Sequence, residues 1–377
     1  TLTGMMYGPF VIAMAASLWL VGTAAATAAD PDGRPPNFVI ILADDLGYAD
    51  LGCFGSPRIA TPRLDRMARQ GLRFTDFHSN GAVCSPTRAA LVTGRYQQRS
   101  GVEGVVTARN HRDVGLALSE RTFAELLSTR GYHSALFGKW HLGYAPAFNP
   151  VHQGFQQFTG FVSGNVDYHS HLDQEMFADW WAQDAPAPEP GYLTDLVTRY
   201  GVAYIREHRD RPFCLYLAHG APHYPYQGRD DPAFRIPGKP RPNEKVSDFV
   251  RRYTEMVQVM DEGVGQILDT LEELDLADRT LVLFASDNGP SRGAVQPMGS
   301  AGPLRGNKGT LWEGGHRVPA IAWWPGRISP GTSSSQPAIS IDVMPTLLAI
   351  AGLSPPPDRP LDGIDLSPVL FGGGKLP

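Results

Sequence analysis

Cysteine is scarce in this chain, with only Cys53, Cys84 and Cys214 in 377 residues. Three cysteines exclude a disulfide framework, even in an exported protein. Cys53 and Cys214 each lie in an apolar stretch and read as buried free thiols, with a Cys53–Cys214 pair as the alternative. An excess of one charge is also lacking. Against 38 acidic residues stand 33 Lys and Arg, a net charge of −5, and no basic run occurs. This balance points to no nucleic acid and no anionic membrane as partner, so an anionic substrate must be held by local charge. No apolar run reaches the roughly 20 residues of a membrane span, and no internal repeat is seen.

The longest apolar tract, Phe10 to Val21, is followed by an alanine-rich stretch from Ala24 to Ala29. Together they read as a signal-peptide core and small-residue cleavage site within residues 1–29, cut near Ala28 or Ala29, with export to the periplasm or medium as the consequence. No Lys or Arg precedes the tract and the chain opens on Thr1, which leaves Met5 or Met6 as initiator and an uncleaved anchor as the alternative. No membrane span is expected after cleavage. The remainder is long enough for one large α/β domain, or one large and one small, because single cores stop growing at about 250–300 residues.

Apolar runs bounded by Gly, Pro and Asp alternate with helical segments, the pattern of a mostly parallel sheet with helices on both faces. Strands are expected at Phe38–Ala43, Ser134–Phe137, Phe213–Ala218, Leu281–Ser286 and Ala320–Trp324. Helices are expected at Pro62–Gln70, with Thr61 as N-cap and Gly71 as stop, at Thr122–Arg130, and at Asp248–Leu274. The Pro-rich stretches Ala185–Pro190 and Pro232–Pro242 read as loops.

In open sheets of this kind ligands gather beyond the carboxyl ends of the strands, and polar residues cluster there. Asp44 and Asp45 follow the first strand, and Asp287-Asn288-Gly289 follows the strand ending at Ser286. Three carboxylates and an amide oxygen are hard ligands suited to Ca²⁺ or Mg²⁺. Taken alone, an Asp pair or an Asp-Asn-Gly tripeptide is more often a turn or a helix cap. Lys139 and His141, two apart after a strand, can point to one side. Arg88 shares a helix face with Cys84 if a helix begins near Pro86.

The stretch Cys84-Ser85-Pro86-Thr87-Arg88-Ala89-Ala90-Leu91-Val92-Thr93-Gly94 resembles, position for position, the signature of the formylglycine-dependent sulfatases of arylsulfatase type, in the alkaline phosphatase-like superfamily. Gly131 to Gly143, containing Lys139 and His141, is similar to that family's second signature, with Phe137 where a smaller residue is usual. Pro222-His223-Tyr224-Pro225 resembles its Pro-His-x-Pro element, and Gly306 to Gly315, containing Lys308, its Gly-x-Lys and Glu-Gly-Gly stretch. The resemblance runs from about residue 36 to 370 and makes that span the catalytic domain.

What the resemblance implies is a sulfate monoester hydrolase whose Cys84 is oxidised by a formylglycine-generating enzyme. A serine would be left as a stable sulfate ester, whereas the hydrated aldehyde can attack sulfur with one hydroxyl and use the other to expel sulfate. The family pattern assigns one Ca²⁺ to Asp44, Asp45, Asp287, Asn288 and the side chain at position 84. It gives catalytic positions to Arg88, Lys139, His141, His223 and Lys308, with His219 as the rival of His223. Glu313, Arg317 and Asp342 are read as structural hydrogen-bonding residues. A sulfated carbohydrate is the expected natural substrate, and Tyr168-His169-Ser170-His171 with Trp180-Trp181 could stack on sugar rings, although ordinary packing is an equal reading. The family's small C-terminal subdomain is expected to be truncated or absent here. The rival classes are a phosphatase or phosphonate monoester hydrolase and a non-catalytic module binding sulfated glycans.

Overall fold

The computed structural model describes residues 1, 4, 33–240, 245–292, 298–372 and 374–376, so the signal-peptide tract and Met5 and Met6 fall outside the described residues, as do positions 241–242 of the second Pro-rich stretch. In chain order the strands are β1 Asn37–Ala43, β2 Leu72–His78, β3 His133–Lys139, β4 Gln157–Phe161, β5 Trp181–Ala182, β6 Ala185–Pro186, β7 Phe213–Ala218, β8 Thr280–Ser286, β9 Arg317–Trp323, β10 Thr332–Ser334 and β11 Ala338–Ile339. The helices are α1 Pro62–Gln70, α2 Cys84–Thr93, α3 Gln97–Ser100, α4 Phe123–Ser128, α5 Leu193–Glu207, α6 Val246–Glu273, α7 Glu313–His316, α8 Val343–Ile350 and α9 Ser367–Leu370.

All seven residues of β1 are buried, so both faces of the strand must pack. Phe38, Ile40 and Leu42 join one apolar core, and Val39, Ile41 and Ala43 join the other. Alternation divides the run between two layers, as expected of a central parallel strand. Helices α2, α4 and α8 cover the first core, and α1, α5 and α6 the second. The strand order is β10-β2-β9-β8-β1-β7-β3-β4-β5-β6, with β11 also on β2. The central run β8-β1-β7-β3-β4 is parallel throughout, while β9 is antiparallel to both β8 and β2. The mostly parallel sheet with helices on both faces is therefore as the sequence led us to expect.

The five expected strands are all present, with ends displaced by up to three residues. β2 and β4 were not foreseen. A register shift between Phe74 and Phe77 breaks the two-residue period of β2, and Gly160 interrupts β4. The Ala185–Pro190 loop needs correction as well, because Ala185–Pro186 pairs with Trp181–Ala182. Thr61 precedes α1 without capping it; its hydroxyl instead accepts from the Gly52 N–H and donates to Asp65. Thr122 does cap α4, in a reciprocal box with Glu125, but the helix ends at Ser128, two residues short of Arg130. All three cysteines are free, Cys214 fully buried and Cys53 only partly.

The glycine before Lys139 is dictated by close approach. Gly138 has φ +107°, and a Cβ there would lie 2.1 Å from the Ala218 carbonyl oxygen of β7. Gly138→Ala is expected to destabilise the protein by about 1–3 kcal/mol through backbone strain alone, read as a lower midpoint in urea unfolding. An unchanged midpoint would mean that β3 and β7 are not held at this spacing.

Candidate active site

Each of the four adjacent strands β8, β1, β7 and β3 delivers polar residues at its carboxyl end. Asp44 and Asp45 leave β1, Asp287 and Asn288 leave β8, Lys139 ends β3 with His141 beyond, and His219 and His223 follow β7. The backbone ladder continues past the strand ends: Asp44 N–H donates to Ala221 O and Asp287 N–H to Ala43 O, both at 3.0 Å. Asp45 and His141 adopt φ of 65° and 59°, a left-handed conformation unusual away from glycine and concentrated at functional sites.

Helix α2 brings Cys84 in its first turn and Arg88 one turn later, and all ten of its residues are buried. The Thr87 hydroxyl bonds to Gly81 on the entering chain, and Gly94 closes the helix at φ 64° with its N–H on Ala90 O. These contacts give the signature's Thr and Gly a local structural purpose. Lys308 is positioned by two backbone bonds, its own N–H to Pro290 O and the Gly309 N–H to Ala82 O.

The side chains converge. Lys308 Nζ donates to Asp45 Oδ1 at 2.5 Å and lies 3.2 Å from Cys84 Sγ. Cys84 Sγ is 3.4 Å from Asp44 Oδ1, whose other oxygen accepts from Lys139 Nζ at 2.5 Å. Arg88 sends Nε and Nη2 to Asp287 Oδ2 at 3.0 and 2.7 Å and Nη1 to Lys139 O at 3.2 Å. The guanidinium expected beside Cys84 is thus committed to Asp287. His223 Nε2 stands 3.7 Å from Asp45 Oδ2, with Nδ1 bonded to Tyr224 O at 2.6 Å. His141 bonds Val106 O through Nε2 at 2.9 Å, and its buried Nδ1 has no partner among the described residues.

Electrostatics follow from burial and pairing. Burial alone would raise the pKa of Asp45, but Lys308 and then His223 outweigh it and hold the carboxyl below its usual range. Asp287 is pushed up to about 6 by burial and by the charge of Asp44. Burial tends to lower Lys308, yet Asp45 keeps the ammonium well above its ordinary value. His141 is held well below 6.5 by burial and by Lys139 and Arg88, and His223 is lowered to about 3, chiefly by burial. Burial and Asp287 raise the Cys84 thiol above its ordinary value in spite of Lys139 and Lys308, so it stays protonated and makes a poor nucleophile as a thiol.

The oxygen donors of Asp44, Asp45 and Asn288 suit a hard divalent cation, although the close-set ligand atoms include Cys84 and His223 and leave out Asp287, which was expected among them. Ligand atoms of Asp44, Asp45, Cys84 and His223 lie within 4.8 Å of one another. Asn288 sits beside them, its Nδ2 on Asp45 Oδ1 at 2.7 Å and its buried Oδ1 without a partner among the described residues. Asp287 Oδ1 accepts the Asp45 N–H at 3.2 Å. Carboxylate and amide oxygens of this kind are what Ca²⁺ takes.

A cavity of about 420 Å³ opens above Cys84, His141, His223 and Lys308. Its upper wall comes from Val105–Asn110 and from segments around Asn165 and Glu175, which sequence reasoning missed; these loops carry no periodicity or spacing by which they could be found. The Val106 N–H donates to Ser85 Oγ, so this wall is tied to the signature helix. For the aromatics read as either sugar-stacking or packing residues, burial favours packing at Tyr168 and Trp180, with Tyr168 bonding the carbonyls of Gly220 and His223 and Trp180 stacking on His171. Arg317 holds Thr75 O and Glu313, and Asp342 accepts the N–H groups of Ile339 and Ile364, in keeping with structural roles.

His219, the rival of His223, is fully buried, and its Nδ1 has no partner among the described residues. Burial lowers its pKa from 6.5 to about 4. The unfolded chain therefore takes up the proton first, and the stability associated with a neutral His219 is complete above pH 6.5 and lost as pH falls toward 4. Relative to His219→Leu, the wild-type protein should lose about 1.4 kcal/mol more per pH unit across that window, measured by urea unfolding; parallel pH profiles would contradict it.

A family model described as Sulfatase matches residues 36–353. Human arylsulfatase A is 41% identical over 368 residues, covering 91% of this chain and 69% of that protein. N-acetylgalactosamine-6-sulfatase of Canis lupus familiaris is 37% identical over 387 residues, 97% of this chain and 72% of its own length. Among solved structures, Ps i-CgsB in complex with k-i-k-neocarrahexaose superposes with a TM-score of 0.79 at 31% identity, covering 89% of this chain and 76% of that one. With most of its length matched in this way, and the matching motifs converging on one buried site, the chain belongs to the sulfatase family, enzymes that hydrolyse sulfate esters.

Proposed function

We propose that this chain is an exported sulfatase of arylsulfatase type that removes sulfate from a sulfated carbohydrate, using formylglycine made from Cys84 by a formylglycine-generating enzyme and one bound Ca²⁺. The observation that carries the proposal is the placement of Cys84 Sγ on the cavity floor, 3.4 Å from Asp44 and 3.2 Å from Lys308, where its thiol is held protonated. A carbohydrate substrate is supported by the relatives, one named for a sulfated N-acetylgalactosamine and one solved with an oligosaccharide. Export is supported by the Phe10 to Val21 tract and its alanine-rich flank; no helix among the described residues is long and apolar enough to cross a membrane.

Asp44, Asp45, Asp287, Asn288 and the side chain at position 84 would hold the calcium ion, which when bound orients a sulfate oxygen and stabilises charge in the transition state. Formylglycine at position 84 would supply, as its hydrate, an oxygen nucleophile and a second hydroxyl in place of the thiol. Arg88 fixes Asp287 in register, and Lys139 places its ammonium against Asp44. His141, with Nε2 engaged by Val106 O, keeps Nδ1 free to accept a proton, and its depressed pKa leaves it neutral near pH 7. Lys308 stays charged and neutralises negative charge on the leaving oxygen, while His223 presents Nε2 beside it.

A phosphate monoester carries about two negative charges at pH 7 and favours two close metal ions. The hard-oxygen cluster here serves one. The singly charged sulfate is the better match.

Peptide mass spectrometry of Cys84, after co-expression with a formylglycine-generating enzyme, should find the aldehyde or its hydrate. Hydrolysis of an aryl sulfate should exceed that of the matching aryl phosphate, fall to background in Cys84→Ala, and be lost on calcium chelation and regained on calcium addition. Conversion with turnover of phosphate or phosphonate alone would replace the proposal with the first rival class, and an unmodified, inert Cys84 with the glycan-binding one. His141→Gln is expected to lower kcat by about 10²- to 10⁴-fold with little change in KM; a loss confined to KM would remove its proton-transfer role.

A further inference from the structure

Away from the catalytic floor, His78 at the end of β2 and His316 at the end of α7 face one another, with Nδ1 atoms 3.0 Å apart. Glu313 lies one helical turn before His316, and one ligand atom from each of the three residues falls within 4.8 Å of the others. None of the three serves the sulfate chemistry described above.

The pairing is more specific than two rings in contact. His78 bonds Asp76 Oδ1 through Nε2 at 2.9 Å. A carboxylate on that nitrogen fixes the tautomer with the proton on Nε2 and turns the Nδ1 lone pair toward His316, the arrangement that second-shell carboxylates impose on metal-binding histidines. His316 is held by its own backbone, since its carbonyl accepts the Ser79 N–H at 2.7 Å. Two imidazole nitrogens on a tetrahedral ion at about 2.0–2.1 Å would be separated by about 3.3 Å, a few tenths of an ångström from the observed spacing. The Arg317 guanidinium spans the carboxylates of Asp76 and Glu313 at 3.3 and 3.2 Å, fixing both while setting one positive charge against two negative ones. A cavity of about 470 Å³ bordered by His78, His316, Gln97 and Glu103 leads to the rings from solvent.

We propose that His78, His316 and Glu313 form a second metal site, selective for a zinc-class divalent transition ion and distinct from the calcium site. Two borderline imidazole nitrogens joined by one hard carboxylate oxygen match Zn²⁺ and Co²⁺, whereas Ca²⁺ takes an all-oxygen set. Three protein ligands leave a fourth position for water or an exogenous ligand. The ion would tie the end of β2 to α7, whose first three residues close the Gly306 to Gly315 segment that carries Lys308. The site is independent of the proposed formylglycine chemistry and exists whether or not Cys84 is converted.

The test is a Co²⁺ titration of the full chain in saturating calcium, followed by visible absorption. One equivalent should produce ligand-field bands that Zn²⁺ abolishes by competition. His78→Ala and His316→Ala should each weaken cobalt binding by at least 100-fold, and Asp76→Asn by about 10- to 100-fold through loss of ring orientation. Glu313→Gln, which keeps size and hydrogen bonding, should weaken binding without altering the metal-free melting temperature, so that a folding defect in a histidine variant leaves the question answerable. Zn²⁺ should raise the melting temperature of wild type and not of His316→Ala. Cobalt bands of full intensity in both histidine variants, or no histidine-dependent cobalt binding in calcium-loaded wild type, would overturn the proposal and leave the contact as a hydrogen-bonded imidazole pair.

Discussion

Three carboxylates buried at the carboxyl edge of the sheet must each find a cation, and the rest of the site is arranged around that requirement. Asp44 takes Lys139, Asp45 takes Lys308 and Asp287 takes Arg88. The partners lie 95, 263 and 199 residues apart in sequence. Removing one partner from such a pair leaves an uncompensated buried charge, at a cost of about 3–5 kcal/mol. The pairs therefore couple β1, β3, β8, α2 and the Lys308 loop into one electrostatic unit at the floor of the cavity. In the proposed function a bound divalent cation tips this balance toward positive, the sign needed to receive an anionic ester.

That unit can exist only because the sheet is built to extreme closeness at one place. Gly138 and Gly160 face each other across β3 and β4, and a Cβ on Gly160 would lie 2.0 Å from the Gly138 carbonyl oxygen. Lys139 leaves this contact directly into the buried site, while Asp45 and His141 turn back through left-handed conformations to aim their side chains. The cost of such geometry is of order 1–3 kcal/mol per residue. Two fully formed apolar cores on either side of β1 are what the structure sets against it.

The division between what the sequence revealed and what it concealed has physical causes. Phe38–Ala43 and Phe213–Ala218 were legible because strands buried on both faces are uniformly apolar. β2 was not, because its bulge breaks the two-residue period, and β4 was hidden by a glycine whose purpose is to admit another backbone. The residues now converging on the cavity were named through short motifs resembling a family, each ambiguous alone. Their partners could not be named, since nothing in the spacing of Cys84 and Arg88 indicates that the guanidinium ends on Asp287. The Val105–Asn110 wall was invisible for a different reason: it acts through backbone groups, the Val106 carbonyl on His141 and the Val106 N–H on Ser85, which any sequence could supply. Tyr168 and Trp180 show the converse ambiguity, since aromatic side chains in a loop-rich stretch fit either a binding surface or ordinary packing until their burial decides for packing.

The position of Cys84 carries the argument one step further. A cysteine recruited as a thiolate needs a neighbourhood that lowers its pKa, such as a helix N-terminus or a nearby cation. Cys84 has both, in the first turn of α2 with Lys308 at 3.2 Å, and yet burial and Asp287 prevail and the thiol is raised. Lys308, paired with Asp45 at 2.5 Å, does pull the thiol pKa down, but burial and Asp287 outweigh it. A site that sets Lys139 and Lys308 near a sulfur and still keeps it protonated is poorly suited to thiolate catalysis. The same arrangement suits an oxygen nucleophile at that position, because a hard carboxylate cluster lies within reach on one side and a charged ammonium on the other. In the proposed function that oxygen nucleophile would be the hydrated aldehyde made from Cys84, and a thiol kept protonated is consistent with a cysteine that does not act as a thiolate.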